Sequence, residues 1–226
     1  MRQLAEVTST NDALRAWASA GAPHGSAVLA ASQTAGRGRL GRTWRAPAGA
    51  AVLLSVLVRR PLPAHKVPLL SLGAAVATAQ ACGAATRIKW PNDVLAPDGR
   101  KLAGVLCEAE WGADGLGFAI LGIGVNVTAA PPLPTATYLA ELGPPPARVA
   151  LAQAIVDGVL RQVRRIEEAP AEMLADWRER SVTLGRAVQV GGLSGTAMDV
   201  DPDGALRILQ ADGTEVRAVT GDLGFL

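Results

Sequence analysis

Histidine and cysteine are scarce in this chain, which has two of each among 226 residues. The cysteines, Cys82 and Cys107, lie in apolar stretches and form neither a metal-ligand pattern nor a disulfide framework, so we expect both to be core residues. The histidines, His24 and His65, lie in polar loops without partners. This distribution argues against a histidine-based catalytic triad and against a zinc site.

Long apolar segments and an excess of one charge are also missing. No run of about 18 or more consecutive apolar residues occurs, so no membrane span is expected. The first residues form no apolar signal segment, and the cytoplasm is therefore the expected location. The formal net charge of +2 is too close to balance for a dedicated nucleic-acid binder. No Walker-type loop and no complete dinucleotide fingerprint is present.

What the chain does contain is a run of alternating glycines and arginines, GRGRLGRTW, at Gly36–Trp44. Glycine lets the backbone bend and approach a ligand closely, arginine matches phosphate and carboxylate oxygens, and tryptophan offers a flat surface for a base. The run therefore predicts a mobile loop that wraps a small anionic, nucleotide-containing ligand. An RNA-binding Arg-Gly segment or a solvated loop is the alternative, although such RNA-binding tails are longer and lie outside packed domains.

Hydrophobic patterns predict the surrounding elements. A helix is expected to begin at Ser9–Asp12, and further helices are expected at 68–81, 148–168 and 171–180. Strands are expected at 28–31, 51–58, 87–90, 102–110 and 117–127, the last two joined as an antiparallel hairpin by residues 112–115. Residues 129–146 are proline-rich and predict a surface connection. After Gly185, four short alternating segments predict a small β-barrel.

Three further clusters place polar or small residues on these strands. In Lys89–Asp93 (KWPND) the lysine would contact a phosphate or carboxylate oxygen, while Asn92 and Asp93 would contact ribose hydroxyls or a metal-bound water. An ordinary hairpin connection explains this cluster equally well. The other two clusters are Lys101–Glu108 (KLAGVLCE), with a glycine inside a strand, and Gly122–Val127 (GIGVNV). Each is weak alone, because a solvated lysine or a β-bulge gives the same pattern.

In this order and spacing, the four clusters resemble the biotin–protein ligases, also called biotin–[acetyl-CoA-carboxylase] ligases. Ser9-Thr10-Asn11 and Gln33 match that family's pattern too, and the resemblance extends from Val7 to the C-terminus. The expected fold is α+β: a mixed, largely antiparallel central sheet flanked by helices in a catalytic domain of residues 1–180, plus a small SH3-like β-barrel in residues 181–226. Because the chain starts almost at Ser9, the resemblance implies a ligase without the DNA-binding repressor role of some relatives.

The resemblance implies a reaction in two steps. Biotin and ATP form biotinyl-5'-AMP and pyrophosphate, and a lysine on a biotin carboxyl carrier domain of an acyl-CoA or pyruvate carboxylase then accepts the biotin. Two like charges about 4 Å apart repel by about 4 kcal/mol at an effective dielectric of about 20, so cationic side chains and Mg²⁺, held mainly by the ATP phosphates, would offset this repulsion. No DNA or membrane partner is implied, and a homodimer is left open.

The roles of individual residues are implied by the same resemblance. Arg39, Lys89 and Lys101 are the expected catalytic residues. The expected biotin-binding residues are Ser9, Thr10, Asn11, Gln33, Gly36, Arg37, Gly38, Arg39, Lys101, Gly104 and Gly124. The expected ATP-binding residues are Arg39, Arg42, Trp44, Lys89, Asn92, Asp93 and Asn126. A lipoate- or octanoate-transferring enzyme on the same scaffold is the alternative, in which Ser9, Thr10 and Gln33 would have no polar ring to bind.

Overall fold

The computed structural model describes residues 1–83, 85–113 and 115–226. Its helices are α1 (Thr10–Ser19), α2 (Leu69–Cys82), α3 (Leu139–Leu142), α4 (Arg148–Glu168) and α5 (Pro170–Arg180). Its strands are β1 (Arg2–Val7), β2 (Ala27–Gln33), β3 (Ala51–Val58), β4 (Arg87–Lys89), β5 (Asp93–Leu95), β6 (Lys101–Gly112), β7 (Gly115–Asn126), β8 (Ala187–Val190), β9 (Leu193–Val200), β10 (Leu206–Leu209), β11 (Glu215–Ala218) and β12 (Leu223–Phe225). Within these ranges, no helix has both the length and the apolar character needed to cross a membrane.

The first seven strands form one sheet in the order β1-β2-β3-β7-β6-β5-β4. Strand β1 runs parallel to β2, and all other neighbours are antiparallel. The predicted mixed, largely antiparallel sheet is thereby confirmed. Strands β1 and β5 were not predicted, because β1 is an edge strand exposed along nearly its whole length and β5 has three residues.

The two faces of this sheet have different partners. Alternate residues of β3, such as Val52 and Leu54, belong to the main core beneath α2 and α4. The intervening residue Leu57 packs with Ile120 of β7 and Leu14 of α1 in a second, smaller cluster. Because successive side chains of a strand point to opposite faces, α1 packs on the face opposite the main core. This face, which we call the open face, carries the candidate site beside α1.

Helix α1 begins at Thr10, as predicted, although the hydroxyl of Ser9 makes no capping hydrogen bond. The predicted hairpin of β6 and β7 is also confirmed, and its register places Gly104 opposite Gly124. Of the predicted connection at residues 112–115, Asp114 lies outside the described residues.

The C-terminal segment forms a second antiparallel sheet in the order β11-β10-β9-β8-β12. Four of its strands were predicted; β12 was not, because it is three residues long and ends next to the C-terminus. Trp90 joins this sheet to the first one: its Nε1 donates to the Gly204 carbonyl at 3.1 Å, and its backbone N–H donates to the Thr183 hydroxyl at 2.9 Å. The main core contains buried residues of both sheets, such as Val52 of β3 and Ile208 of β10. The SH3-like description and the boundary at residue 181 remain predictions.

The segment 129–146 does more than the predicted surface connection. It contains α3, and part of it runs beside the start of β6: the backbone N–H of Lys101 donates to the Thr135 carbonyl at 2.7 Å, and the N–H of Thr137 donates to the Lys101 carbonyl at 3.0 Å. Proline-rich composition did not indicate this pairing, because the pairing depends on a residue far away in the chain. The pairing holds Lys101 at the edge of the open face.

Candidate active site

A cleft of about 280 Å³ lies on the open face of the large sheet, under the glycine-arginine loop. It gathers nearly all the site residues predicted from the sequence. The predicted residues that line it are Ser9, Thr10, Asn11, Gln33, Arg37, Gly38, Arg39, Arg42, Trp44, Asn92, Asp93, Lys101, Gly104, Gly124 and Asn126, together with Gly122. Gly36 lines an adjoining cavity around the loop instead. Segments that are remote in the chain are therefore brought together in one place.

Lys89 is a predicted site residue that lines neither the cleft nor the adjoining cavity. Its Cα is paired with that of Asp93 across strands β4 and β5. Its ammonium lies 5.4 Å from the ring centroid of Phe225, and the guanidinium of Arg186 lies 3.6 Å from the same centroid. The lysine therefore faces the C-terminal sheet, and its predicted catalytic role stays a prediction.

Thr10, Asn11 and Gln33 line one part of the cleft and belong to a chain of polar side chains that also includes buried Ser55. The backbone N–H and hydroxyl of Thr10 donate to Gln33 Oε1 at 2.7 and 3.0 Å. The hydroxyl of Ser55 lies 2.8 Å from Thr10 Oγ1 and 2.5 Å from Asn11 Oδ1. Ser55 was missed in the sequence because it lies within an apolar strand, where a lone serine looks like a core residue. This polar chain can offer several donors and acceptors to a polar ring.

Glycines form the floor of the cleft. A Cβ atom on Gly122 would lie 2.5 Å from Asn11 Oδ1, and a Cβ atom on Gly124 would lie 2.3 Å from Cε2 of Trp44. Both distances are shorter than real contacts allow, so a Cβ atom at either position would displace the side chain above it. Gly122, Gly124 and Asn126 lie on one face of β7 over roughly 14 Å, at about 3.4 Å per residue. The floor therefore runs from the polar chain at Gly122 past the indole of Trp44.

The glycine-arginine loop is a small hairpin. Arg37 and Thr43 form an antiparallel β-bridge. The N–H of Gly38 donates to the Arg42 carbonyl at 2.6 Å, and the N–H of Trp44 donates to the Gly36 carbonyl at 3.0 Å. This backbone pairing directs the arginines to different parts of the site.

The three arginines of the loop differ in how their charges are compensated. Arg37 forms a bidentate pair with Asp12 at 2.7 Å for both bonds and also contacts Glu108 at 3.2 Å. The hydrogen bond from Arg37 is the main cause that holds the pKa of Asp12 below its ordinary value. Arg42 pairs with Asp222 at 3.1 Å, and both side chains are exposed. Arg37 and Arg42 could therefore neutralise a bound anion only by releasing their carboxylate partners.

Arg39 is different, because its partners are neutral. Its guanidinium donates to Asn92 Oδ1 at 2.9 Å, to the Thr220 hydroxyl at 3.1 Å and to the Gly221 carbonyl at 3.2 Å. Among the described residues it forms no ion pair. Burial lowers the pKa of Arg39 from its ordinary value, yet an arginine in a protein stays protonated at neutral pH. Its positive charge is thus the least compensated in the loop.

Lys101 and Asp93 form the other charged pair of the cleft, with Nζ and Oδ1 2.6 Å apart. The Lys101 ammonium also lies 5.8 Å from the ring centroid of Trp44. Asn126 donates through Nδ2 to the Thr137 carbonyl at 2.9 Å, but its Oδ1 is buried and has no partner in the described part of the chain. An unpaired buried acceptor costs about 1–3 kcal/mol, so a ligand that donates a hydrogen bond here would be favoured.

The side chains of the described residues do not make a metal cage of their own. In residues 1–83, 85–113 and 115–226, no group of three or more His, Cys, Asp or Glu side chains is placed to hold a metal ion. Asp93 and the amides of Asn92 and Asn126 are oxygen donors that suit Mg²⁺. A divalent cation would therefore depend on further oxygen ligands, such as those of a phosphate chain.

A glycine floor, a polar chain and a group of cations in one cleft define a protein that binds an elongated ligand with a polar part and an anionic part. The model of the Biotin/lipoate A/B protein ligase family matches residues 4–126. The chain belongs to this family.

The chain is also similar to individual proteins and solved structures. The chain is 39% identical to the biotin–[acetyl-CoA-carboxylase] ligase of Mycobacterium tuberculosis over 97% of this chain and 86% of that protein. It is 42% identical to the bifunctional ligase/repressor BirA of Bacillus subtilis, over 55% of this chain and 39% of that protein. Among solved structures, the biotin protein ligase from Aquifex aeolicus in complex with biotin and ATP is similar with a TM-score of 0.80 at 25% identity, covering 100% of this chain and 97% of that one.

Proposed function

We propose that this protein is a biotin–protein ligase, which activates biotin with ATP to biotinyl-5'-AMP and then transfers biotin to a lysine of a biotin carboxyl carrier domain. The observation that carries the proposal is the order of side chains along the glycine floor. Biotin has a neutral, polar ureido ring at one end and a carboxylate at the other. With the ring at Thr10 and Asn11, whose side chains are held by buried Ser55, an extended tail would place the carboxylate near Lys101.

In the first step an oxygen of the biotin carboxylate attacks the α-phosphorus of ATP. A carbon–oxygen–phosphorus anhydride forms, and pyrophosphate leaves with the electrons of the broken phosphorus–oxygen bond. Lys101 and Arg39 would lower the repulsion between the two anions and stabilise the charge that builds on the phosphate oxygens. Asp93 and Asn92 would help to hold Mg²⁺ on the ATP phosphates, and the ion would supply further neutralisation when bound.

In the second step the amine of a carrier lysine attacks the acyl carbon, an amide forms, and AMP leaves. This chemistry needs no nucleophile from the enzyme. The two cysteines of the chain agree with a mechanism that uses no nucleophile from the enzyme. Burial raises the pKa of Cys82 and of Cys107 to about 12, which keeps both thiols protonated at neutral pH. Asn126 Oδ1, which has no hydrogen-bond partner among the described residues, would accept a hydrogen bond from the nucleotide.

The direct test is incubation with biotin, ATP, Mg²⁺ and a biotin carboxyl carrier domain, followed by mass spectrometry of the carrier. We expect the carrier mass to rise by one biotin minus one water. Omitting ATP or replacing the acceptor lysine by arginine are the controls. If lipoate is transferred and biotin is not, the alternative enzyme on the same scaffold is correct and the proposal is wrong.

A methyl group at Gly122 should impair biotin binding selectively. Because the Cβ would lie 2.5 Å from Asn11 Oδ1, Gly122→Ala has to displace the amide that faces the ureido ring. We expect the KM for biotin to rise about 10-fold or more, with little change in the KM for ATP. Steady-state kinetics measure both constants. Gly192→Ala is the matched control, since no atom lies within 4 Å of its added Cβ; equal effects of the two variants would refute the steric argument.

The glycine-arginine loop should become protected when both substrates bind. The adenylate is labile in water, so a loop that excludes water from it would be mobile in the empty enzyme and ordered in the filled one. We expect trypsin to cleave within residues 37–45 of the free protein, and biotin plus ATP to slow that cleavage. Unchanged cleavage with both ligands at saturating concentration would contradict the lid role of the loop.

A further inference from the structure

A cluster of charged side chains lies beside the cleft and ties the glycine-arginine loop to the large sheet. It consists of Asp12 and Arg15 on α1, Arg37 in the loop and Glu108 on β6; we name it the clasp. Arg37 holds Asp12 through two bonds and reaches both oxygens of Glu108 at 3.2 Å. Arg15 joins Asp12 at 3.2 Å and Glu108 at 2.9 Å. The loop is thus attached to the helix and to the strand by the same arginine.

Glu108 connects the clasp to the polar chain of the cleft. Its Oε2 accepts from Nδ2 of Asn11 at 2.9 Å. Because the Asn11 amide gives its N–H to Glu108, its Oδ1 is turned toward Ser55, at 2.5 Å, and toward the position above Gly122. The carboxylate therefore determines which atom of Asn11 is presented to the cleft.

The ionised state of Glu108 fits this arrangement. Burial works against ionisation, but hydrogen bonds from Asn11 and Arg15 and the charge of Arg37 outweigh it, so the pKa of Glu108 lies below its ordinary value. At neutral pH the ionised carboxylate of Glu108 accepts a hydrogen bond from Asn11 and at the same time pairs with Arg37. Charge-assisted bonds of this kind are stronger than bonds between neutral groups.

We propose that Glu108 is a positioning residue that couples closure of the glycine-arginine loop to the orientation of the Asn11 amide in the biotin site. Closing the loop brings Arg37 onto the carboxylate that fixes Asn11, so a ligand that uses Asn11 stabilises the closed loop. By linkage, the closed loop strengthens the binding of that ligand by the same factor. This inference rests on the proposed function, since biotin is the ligand that the polar chain would hold.

The test compares Glu108→Ala and Glu108→Gln with Glu110→Gln. Glu110 is the matched control, because it lies two residues further along β6 and pairs with Arg15 at 2.8 Å. Isothermal titration gives the Kd for biotin without ATP, kinetics give the KM for ATP, and trypsin digestion with and without biotin reports loop protection. Circular dichroism checks that each variant is folded. If Glu108→Ala does not fold, the isosteric Glu108→Gln replaces it in the same measurements.

We expect biotin alone to protect the loop in the wild-type protein, because biotin would use Asn11. Glu108→Ala should raise the Kd for biotin about 10- to 100-fold, leave the KM for ATP within about 3-fold, and abolish that protection. Glu108→Gln keeps an acceptor for Asn11 but loses the ion pair with Arg37, so it should lose that protection with a smaller rise in Kd. Arg37→Met combined with Glu108→Ala should be no worse for biotin than Glu108→Ala alone. Glu110→Gln should behave as wild type.

Two outcomes would overturn the proposal. The first is that Glu108→Ala binds biotin as tightly as Glu110→Gln does. The second is that the effects of Arg37→Met and Glu108→Ala on biotin binding simply add. Either result would show that Glu108 does not couple loop closure to the orientation of the Asn11 amide. If the wild-type protein itself binds no biotin, the proposed function fails, and the coupling fails with it.

Discussion

Replacing Lys101 by methionine should reduce the rate of biotinyl-adenylate formation by about 10²- to 10³-fold, the range seen when one charge-stabilising donor is removed from an active site. Lys101 lines the cleft near Trp44, and its ammonium is 2.6 Å from Asp93 Oδ1. Methionine keeps most of the length of the side chain but removes the charge that would face both the biotin carboxylate and the α-phosphate. The assay is pyrophosphate release with biotin and ATP.

The fold should survive this substitution. The Lys101–Asp93 pair is partly exposed, and such pairs contribute about 0–1 kcal/mol, while the backbone of Lys101 keeps its bonds to Thr135 and Thr137. Thermal unfolding followed by circular dichroism checks this. A normal rate of pyrophosphate release in folded Lys101→Met would remove the charge argument.

The other two lysines of the chain provide the comparison. Lys66 donates to the Ile166 carbonyl at 3.0 Å, near the end of α4, so Lys66→Met is the control for a lysine remote from the cleft. Lys89→Met tests the catalytic role predicted from sequence. Because Lys89 faces Phe225, we expect Lys89→Met to lower the rate of pyrophosphate release less than Lys101→Met does. An equal loss of rate would support the sequence-based prediction.

The second large effect should come from Arg39. Its guanidinium carries a positive charge surrounded by neutral acceptors, and it links the turn at Asn92 to Thr220 and Gly221 in the loop between β11 and β12. We expect Arg39→Met to lower kcat/KM for ATP by about 100-fold, chiefly through weaker stabilisation of the phosphate oxygens, and to speed release of the adenylate. Steady-state kinetics at varied ATP and a filter assay for bound adenylate measure the two effects.

Arg42→Met is the matched variant in the same loop. Its side chain is exposed and its charge is already paired with exposed Asp222, and such surface pairs contribute about 0–1 kcal/mol. We therefore expect a loss of less than about 10-fold in kcat/KM for ATP. If Arg42→Met loses as much as Arg39→Met, the difference in charge compensation between the two arginines does not decide their roles.

The residues of the cleft were largely predictable, because their patterns are unusual for the elements that carry them. Gly122 and Gly124 cost stability inside a buried strand, and the alternation of glycine with arginine in Gly36–Trp44 has no packing purpose. The order of these clusters made the resemblance to a family specific. The large sheet was predictable where its strands are long and apolar, as in Ala51–Val58.

The features of the site that the sequence did not predict depend on contacts between segments that are distant in the chain. Ser55 looks like an ordinary core residue, and Glu108 looks like a solvated strand residue, until α1 packs beside them and Asn11 reaches both. The direction of Lys89 depends on the docking of the C-terminal sheet. The neutral partners of Arg39 come from Thr220 and Gly221, which follow it by 181 and 182 positions. No local pattern reports such pairings.

The most direct measurement is a crystal structure of the protein with a non-hydrolysable analogue of biotinyl-5'-AMP. The ureido ring should contact Thr10 and Asn11, and the guanidinium of Arg39 and the ammonium of Lys101 should each lie about 3 Å from an oxygen of the carboxyl–phosphate junction. An analogue bound outside this cleft, or bound within it with both cations turned away from the junction, would contradict the claim that these charges join two anionic substrates.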